Sequence, residues 1–135
     1  LARVLQNLGS EHVLVVHAED GLDEISIGSA TRVAELKDGG ITVYTVTPEE
    51  FGLERSDLSA IAVSDAGQSL AMINEVLDNR PGPARDIVVM NAGAAIYAAG
   101  VADSLSDGIE QAGEALANGS ARETLASLIR VTNAF

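Results

Sequence analysis

The side chains best suited to chemistry lie in an acidic, glycine-containing turn over residues 17–24. Its sequence is HAEDGLDE, in which four carboxylates fall within six residues. So much negative charge costs free energy unless water, a cation or a basic partner offsets it. The turn follows the apolar run 13–16, typical of a buried strand, and ligands of open α/β sheets collect beyond the carboxyl ends of such strands. The turn is therefore the candidate site, and a divalent metal ion is its candidate ligand.

Asp23 and Glu24 are the candidate metal ligands within this turn. Adjacent side chains of a regular strand point to opposite faces, so these two converge on one ion only where the backbone turns, as Gly21 allows. Mg²⁺ takes oxygen ligands and usually keeps waters, so one or two carboxylates plus the phosphates of a substrate complete its shell. The residues alone leave two interpretations open, a metal site and a solvated acidic loop.

The other polar residues near the turn are predicted to be structural. Glu19 and Asp20 precede a glycine, and an Asp-Gly pair is most often simply a turn. His12 and His17 flank the strand without a nucleophile or a second ligand at metal spacing, so we assign neither a catalytic role. Asn91 interrupts an apolar helical stretch, which favours a hydrogen-bonded core amide over a ligand contact.

No other residue is assigned to catalysis or substrate binding. Arg80 and Arg85 could meet an anion, although Arg85 at a helix start is equally suited to a salt bridge. The patterns G-x-G-x-x-G, G-x-x-x-x-G-K-[ST] and G-x-S-x-G do not occur in the sequence. If the protein binds a polyphosphate, its main phosphate-binding loop is therefore outside this chain.

The composition predicts one acidic domain with a core of small aliphatic side chains. The 135 residues are 47% hydrophobic but only 3% aromatic, and 20 acids against 8 bases give a net charge of −12. That charge repels nucleic acid and anionic membranes. The chain has no cysteine, and no apolar run approaches the roughly 20 residues of a membrane span. We expect a soluble, cytoplasmic protein with no nucleic-acid or membrane partner.

The elements that position the turn are predicted to form an α/β fold with a mixed sheet, a β-hairpin and packed helices. The strand at 13–16 reads as half of a βαβ-like unit, and an Asp-Gly turn joins the β-rich runs 31–36 and 41–46 into a hairpin. Residues 47–50 predict a single capped turn, and Ile61–Val63 a short buried strand.

Helices should precede and follow this sheet. An opening stripe over residues 1–8 begins with neither methionine nor a capping residue, so the chain looks cut from something longer. Leu70, Ile73 and Leu77 predict the inner face of a helix over 66–78, and residues 84–99 predict a helix buried on most sides. Ser104 caps a helix that Gly119 ends, and a capping box at Ser120 opens a last helix, of which the predicted inward-facing residues are Leu125, Leu128 and Ile129.

Four segments together resemble one enzyme family. They read VVHAEDGLDE at 15–24, VAELKDG at 33–39, PEEFGL at 48–53 and NAGAAIY at 91–97. Their order and spacing are similar to the C-terminal portion of the anthranilate phosphoribosyltransferase family along essentially the whole chain. Any one segment would be weak evidence, but the series is specific.

The resemblance implies a fold, a reaction and a metal. The fold is the C-terminal part of a catalytic domain of the nucleoside phosphorylase and phosphoribosyltransferase type, so residues 1–135 would be a single truncated segment. The reaction transfers phosphoribose from phosphoribosyl pyrophosphate to the amino group of anthranilate, with Mg²⁺, in tryptophan biosynthesis. Family members usually form homodimers through a helical domain absent here, and their Asp-Glu pair, matching Asp23 and Glu24, helps bind Mg²⁺.

The sequence departs from the family at two places. Ala18 replaces a glycine common in the motif, and residues 63–66 (VSDA) stand where many members have a Gly-Gly-Asp stretch. The family's phosphate loop and anthranilate-contacting residues lie upstream of Leu1, so the chain alone is expected to be inactive. Two alternatives are a pyrimidine nucleoside phosphorylase and a non-enzymatic relative that binds nucleic acid; the net charge argues against the second.

Overall fold

The computed structural model describes residues 1–134, which form a three-stranded sheet and five helices. A glycine-containing segment joins the first two strands, and two single 3₁₀ turns, Pro48–Phe51 and Leu58–Ile61, separate the sheet from the later helices. The elements in chain order are α1 (Ala2–Asn7), β1 (Val13–Ala18), β2 (Thr31–Lys37), β3 (Gly40–Val46), α2 (Ala66–Leu77), α3 (Pro83–Ala98), α4 (Leu105–Ala117) and α5 (Ser120–Thr132). The α/β class is confirmed.

The sheet has the strand order β1-β2-β3 and is antiparallel throughout the described residues. Val15 lies opposite Ala34, and Val33 lies opposite Tyr44. The expected βαβ-like unit is therefore wrong, because β1 pairs directly with β2 and no parallel strand joins this sheet within residues 1–134. An apolar run of four residues fits a parallel or an antiparallel strand equally well, so the sequence could not decide the pairing.

The predicted hairpin is confirmed. Asp38 and Gly39 both have positive φ angles, 50° and 73°, as the two central residues of a tight turn that matches the twist of its strands. The single turn after β3 is also confirmed: Thr47 and Glu50 form a reciprocal capping box around Pro48.

The hydrophobic core lies between the sheet and helices α3 and α4. Its most deeply buried members include Val33 from β2, Met90 from α3, and Ile27 from the segment between β1 and β2. Burying a side chain the size of isoleucine contributes roughly 1.5–3 kcal/mol. The segment that follows the acidic turn is thus anchored in the core although it is not a strand.

Helices α3 and α4 cross at two glycines. A Cβ on Gly93 would lie 2.5 Å from the Cα of Ile109, and a Cβ on Gly108 would overlap the carbonyl oxygen of Gly93. The backbones of the two helices are therefore in direct contact. On α3, the polar residue Asn91 reaches the segment between β1 and β2.

Two further predictions, one of a strand and one of a helix face, differ from the structure. Residues Ile61–Val63 do not form a strand; a 3₁₀ turn ends there and Val63 is 43% exposed. Leu70 and Ile73, predicted to face inward, are 59% and 47% exposed, and the buried residue of α2 is Val76. The periodicity correctly marked an apolar face, but the described residues contain nothing that covers it.

The last helix also differs. Helix α5 has no buried residue; Leu128 and Ile129 are exposed and Leu125 is only half-buried. Ser120 is not a cap: Gly119 occupies the cap position, and the Ser120 hydroxyl donates to the Ala115 carbonyl at 3.2 Å. Within residues 1–134, no helix has the length and hydropathy needed to cross a membrane.

Candidate functional site

The acidic turn begins where β1 ends. The Gly21 N–H donates to the Ala18 carbonyl at 3.0 Å, and Gly21 adopts a φ of 92° that a side chain would disfavour. Both backbone groups of Leu22 are then used: its N–H donates to Asp20 Oδ1, and its carbonyl accepts from the Ala18 N–H, each at 3.1 Å. These bonds define the backbone position just before Asp23.

Asp20 organises the turn, in agreement with the prediction that it is a turn residue. The Ser26 hydroxyl donates to Asp20 Oδ2 at 2.5 Å and itself accepts the Gly28 N–H at 2.9 Å. Partial burial raises the pKa of the Asp20 carboxyl, but the hydrogen bonds from Ser26 and Leu22 outweigh it and hold that pKa below its ordinary value. Asp20 is thus a charged acceptor inside the turn.

The segment after the turn lies in the core. Ile25, Ser26 and Ile27 are all at most 2% exposed, and the Ser26 N–H donates to Thr31 Oγ1 at 3.0 Å. Gly28 permits this packing because a Cβ there would lie 3.1 Å from both Asp20 Oδ2 and the Ser56 carbonyl oxygen.

Asn91 of α3 holds the backbone just after Glu24. The Ile25 N–H donates to Asn91 Oδ1, while Asn91 Nδ2 donates to the carbonyls of Ile25 and Ile87, all three at 2.9 Å. The amide predicted to be a satisfied core group is satisfied as expected, and its main partner lies 66 residues away.

The two predicted metal ligands lie between these fixed points. Asp23 and Glu24 are exposed, and none of the ion pairs within residues 1–134 uses either carboxylate. The described residues contain no cluster of three or more metal-ligating side chains. Two uncommitted carboxylates fit an ion such as Mg²⁺ only when waters or phosphate oxygens supply its other ligands.

His12 has the hydrogen-bonded, structural character that the sequence predicted. His12 Nε2 pairs with Glu35 Oε1 at 2.9 Å, and its ring meets Tyr97 edge to face with the centroids 4.6 Å apart. Lys37 Nζ donates to the Tyr97 hydroxyl at 3.2 Å. His17 is exposed at the sheet, opposite Arg32. The contacts of His12 and Tyr97 tie the start of β1 to the end of α3.

The arginines bind side chains of the chain itself. Arg85 Nε donates to Asn79 Oδ1 at 2.7 Å, and Arg80 pairs with Glu75 at 3.2 Å. The salt-bridging interpretation of Arg85 is supported by its contact with Asp86 at 3.4 Å.

Neither sequence departure distorts the fold. Ala18 is fully buried at the end of β1 and needs no positive φ. In the loop 63–66, Asp65 caps α2 by accepting the Gln68 N–H at 2.8 Å, and the Gln68 side chain accepts the Ser64 N–H at 3.1 Å. The loop is thus a reciprocal helix cap.

The main cavity of the described residues is an apolar groove away from the acidic turn. Its volume is about 440 Å³, and every lining residue except Ser69 is apolar. Helices α2, α3 and α4 supply most of the lining, including the exposed Ile73 and Val88. The groove offers a packing surface and no group for the chemistry of a charged substrate.

Sequence reasoning missed the residues that support the turn. Ser26 and Thr31 carried a weak local signal, since hydroxyl side chains near an aspartate often join its turn. Asn91 carried no signal for its partner, because Ile25 lies 66 residues away in the chain.

The chain is similar to known proteins along nearly its whole length. The anthranilate phosphoribosyltransferase of Thioalkalivibrio sulfidiphilus is 64% identical over 132 residues, covering 98% of this chain and 39% of that relative. The enzyme of the same name from Methylococcus capsulatus is 61% identical over 135 residues, covering 100% of this chain and 40% of the relative. The chain therefore spans about two fifths of the length of these relatives.

Solved structures show the same fold. The crystal structure of anthranilate phosphoribosyltransferase from Thermus thermophilus has a TM-score of 0.83 and 39% identity, covering 93% of this chain and 37% of that protein. The Saccharomyces cerevisiae enzyme in complex with phosphoribosyl pyrophosphate and Mg has a TM-score of 0.82 and 24% identity, covering 92% and 36%. A family model described as "Glycosyl transferase family, a/b domain" matches residues 1–122. This chain belongs to that family of glycosyl transferase α/β domains.

Proposed function

We propose that this chain is the C-terminal catalytic segment of an anthranilate phosphoribosyltransferase. The complete enzyme transfers phosphoribose from phosphoribosyl pyrophosphate to the amino group of anthranilate and releases pyrophosphate. Support comes from relatives of that name at 64% and 61% identity, which match 98% and 100% of this chain. Because the chain spans about two fifths of those relatives, the activity belongs to the longer protein, and residues 1–135 alone are expected to be inactive.

Asp23 and Glu24 are proposed to bind the Mg²⁺ that accompanies the pyrophosphate. The observation that carries this assignment is a pair of exposed, uncommitted carboxylates in a turn whose neighbouring residues on both sides are hydrogen-bonded. The yeast enzyme, which shares the fold, binds phosphoribosyl pyrophosphate and Mg. The absence of a three-ligand cluster in residues 1–134 agrees with a shell that the substrate completes.

The chemistry explains why carboxylates are needed here. Departure of pyrophosphate places growing negative charge on its oxygens, and a bound Mg²⁺ stabilises that charge electrostatically. Asp23 and Glu24 orient the ion and carry no proton in the transfer. Asp20 accepts hydrogen bonds from Ser26 and Leu22 and so keeps the turn closed, while the carboxylates of Asp23 and Glu24 stay free to bind the ion.

Charge-neutral variants of the complete enzyme test this function. Asp23→Asn with Glu24→Gln should lower kcat about 100-fold, the order seen when a group that stabilises developing charge is lost. The measurement is anthranilate-dependent consumption of phosphoribosyl pyrophosphate across a Mg²⁺ titration, with thermal unfolding as the check on folding. Glu114→Gln, an exposed carboxylate of α4, is the matched control.

Two outcomes would contradict the proposal. Unchanged activity of the double variant would remove Asp23 and Glu24 from the metal site. Phosphorolysis of pyrimidine nucleosides without any reaction of anthranilate would replace the transferase with the phosphorylase alternative. The proposal also places the complete protein in the cytoplasm as a homodimer. Sedimentation of the complete protein would test the dimer.

A further inference from the structure

The backbone around Asp23 and Glu24 is held by hydrogen bonds at both ends. One partner is a near neighbour in the chain and the other is far away in sequence. On the first side, the Leu22 carbonyl, part of the peptide unit that joins Leu22 to Asp23, accepts from the Ala18 N–H at 3.1 Å. This contact is local. On the second side, the Ile25 N–H, part of the peptide unit that joins Glu24 to Ile25, donates to Asn91 at 2.9 Å. Only the peptide unit between the two acids has no such contact among the described residues.

Asn91 is the more restrictive of the two contacts. Its side chain both accepts from and donates to Ile25, so it pairs with that residue much as a neighbouring strand would. A further donation to the Ile87 carbonyl, one turn earlier in α3, fixes the orientation of the amide itself. The amide nitrogen and its oxygen are both used, and no smaller side chain could replace all three bonds.

The same helix is fixed in the core. Gly93, two residues after Asn91, is in backbone contact with α4, and Met90 beside it is fully buried. A side-chain amide on a helix that is fixed in this way holds its hydrogen-bond partner in a defined position. Ile25, its partner, is itself buried. The position of the backbone at Glu24 is therefore determined by the contact of Ile25 with α3.

We propose that Asn91 is a positioning residue that sets the geometry of the Asp23–Glu24 metal site through the backbone of Ile25. The inference rests on the proposed function, since it assigns the residue that orients the proposed ligands. Groups outside the ligand shell that orient ligands commonly alter metal affinity by roughly 10–100-fold when removed. A side chain that only satisfied the core would change stability without changing metal affinity.

The test measures binding and stability in parallel, in the complete protein. Mn²⁺ serves as the probe, and its binding in the presence of pyrophosphate is followed by loss of the free-ion paramagnetic resonance signal. Asn91→Ala should weaken Mn²⁺ binding by about 10-fold or more. Asp23→Asn should weaken Mn²⁺ binding by at least as much. Asn91→Asp, which keeps the acceptor for the Ile25 N–H, is a second variant in case the first does not fold, and a several-fold loss is expected.

A destabilised control separates positioning from general loosening. Ala112→Gly replaces a buried alanine of α4 that lines the apolar groove and costs stability through helix propensity. It should lower the unfolding temperature while leaving Mn²⁺ affinity at the wild-type value. Equal losses of affinity in the Ala112 and Asn91 variants would overturn the positioning role.

The outcomes also separate this inference from the function on which it rests. Wild-type binding that is lost in Asp23→Asn but retained in a folded Asn91→Ala or Asn91→Asp overturns the inference and leaves the metal site standing. Wild-type protein that binds no Mn²⁺ with pyrophosphate, or binds it equally well after Asp23→Asn, overturns both.

Discussion

Hydrogen bonds to single carboxylates determine much of the local order in this protein, and Glu35 is the clearest case. Burial raises the pKa of the Glu35 carboxyl, but hydrogen bonds from Tyr97, His12 and Tyr44 outweigh it, so that the pKa lies below the ordinary 4.5. Burial and the nearby carboxylate raise the pKa of Tyr44. Glu35 is therefore charged where it pairs with His12 at 2.9 Å, with the hydroxyls of Tyr97 and Tyr44 nearby.

The first prediction concerns the acid stability that Glu35 confers. Its pKa is depressed on folding, so its contribution is present above pH 4.5 and is lost as the pH falls through the folded value. Glu35→Gln should cost about 1–3 kcal/mol at neutral pH, the worth of hydrogen bonds to a charged group. The difference from wild type should shrink in acid.

Urea unfolding followed by circular dichroism, at about pH 7 and about pH 3.5, measures this effect. Glu110→Gln, an exposed carboxylate on α4, is the control and should change the free energy of unfolding little at either pH. A Glu35→Gln penalty that stayed the same in acid would show that the charge of Glu35 is not what its partners stabilise.

At the scale of elements, the α3–α4 contact is the tightest in the fold, and it gives the second prediction. Gly93→Ala would place a methyl group against the backbone of Ile109, 2.5 Å from its Cα, so the helices must separate. Overpacking of this kind costs typically about 1–3 kcal/mol, and a backbone neighbour leaves little room for relief.

Gly113→Ala on α4 is the matched comparison for that prediction. A Cβ there meets only the end of the Arg85 side chain at 3.5 Å, an ordinary contact. Removing a helical glycine should then stabilise the protein by about 0.5–1 kcal/mol. Thermal unfolding of both variants decides the matter, and a Gly93→Ala protein as stable as Gly113→Ala would contradict the packing described.

The whole molecule combines a well-filled core with an unfilled apolar groove. Helices α2 and α5 expose residues with helical periodicity, among them Leu70, Ile73 and Leu128. The groove itself gathers apolar side chains of α2, α3 and α4, and a large apolar surface of this kind on a monomer marks an interaction surface. A chain that spans about two fifths of its relatives would present such a face to the rest of the longer protein.

The third prediction follows from that surface. Residues 1–135 by themselves should associate as concentration rises, because the groove buries apolar area when two copies meet. Ile73→Lys with Val88→Lys, two exposed residues of the groove, should shift the chain toward monomer in sedimentation velocity. Val43→Lys, exposed on β3 away from the groove, should leave association unchanged. A monodisperse monomer of the unmodified chain would refute this prediction.

Features specified by neighbouring residues could be predicted from the sequence. The hairpin at Asp38–Gly39, the capping box at Thr47–Glu50 and the cap at Ser104 each depend on residues that are close neighbours in the chain. The acidic turn was identified in the same way, from a glycine and four carboxylates after an apolar run. The residues made Asp23 and Glu24 candidate metal ligands, the family resemblance made that interpretation the favoured one, and it stays a prediction.

The tertiary structure decided which surfaces are buried and what holds the turn. Periodicity locates an apolar face but not its partner, so Leu70, Ile73, Leu128 and Ile129 were predicted inward and lie exposed. The contact of Asn91 with Ile25 spans 66 residues, and no local pattern encodes it. Such a contact depends on the packing of α3 beside the segment that follows the turn, because only the folded chain brings residues so far apart in sequence together.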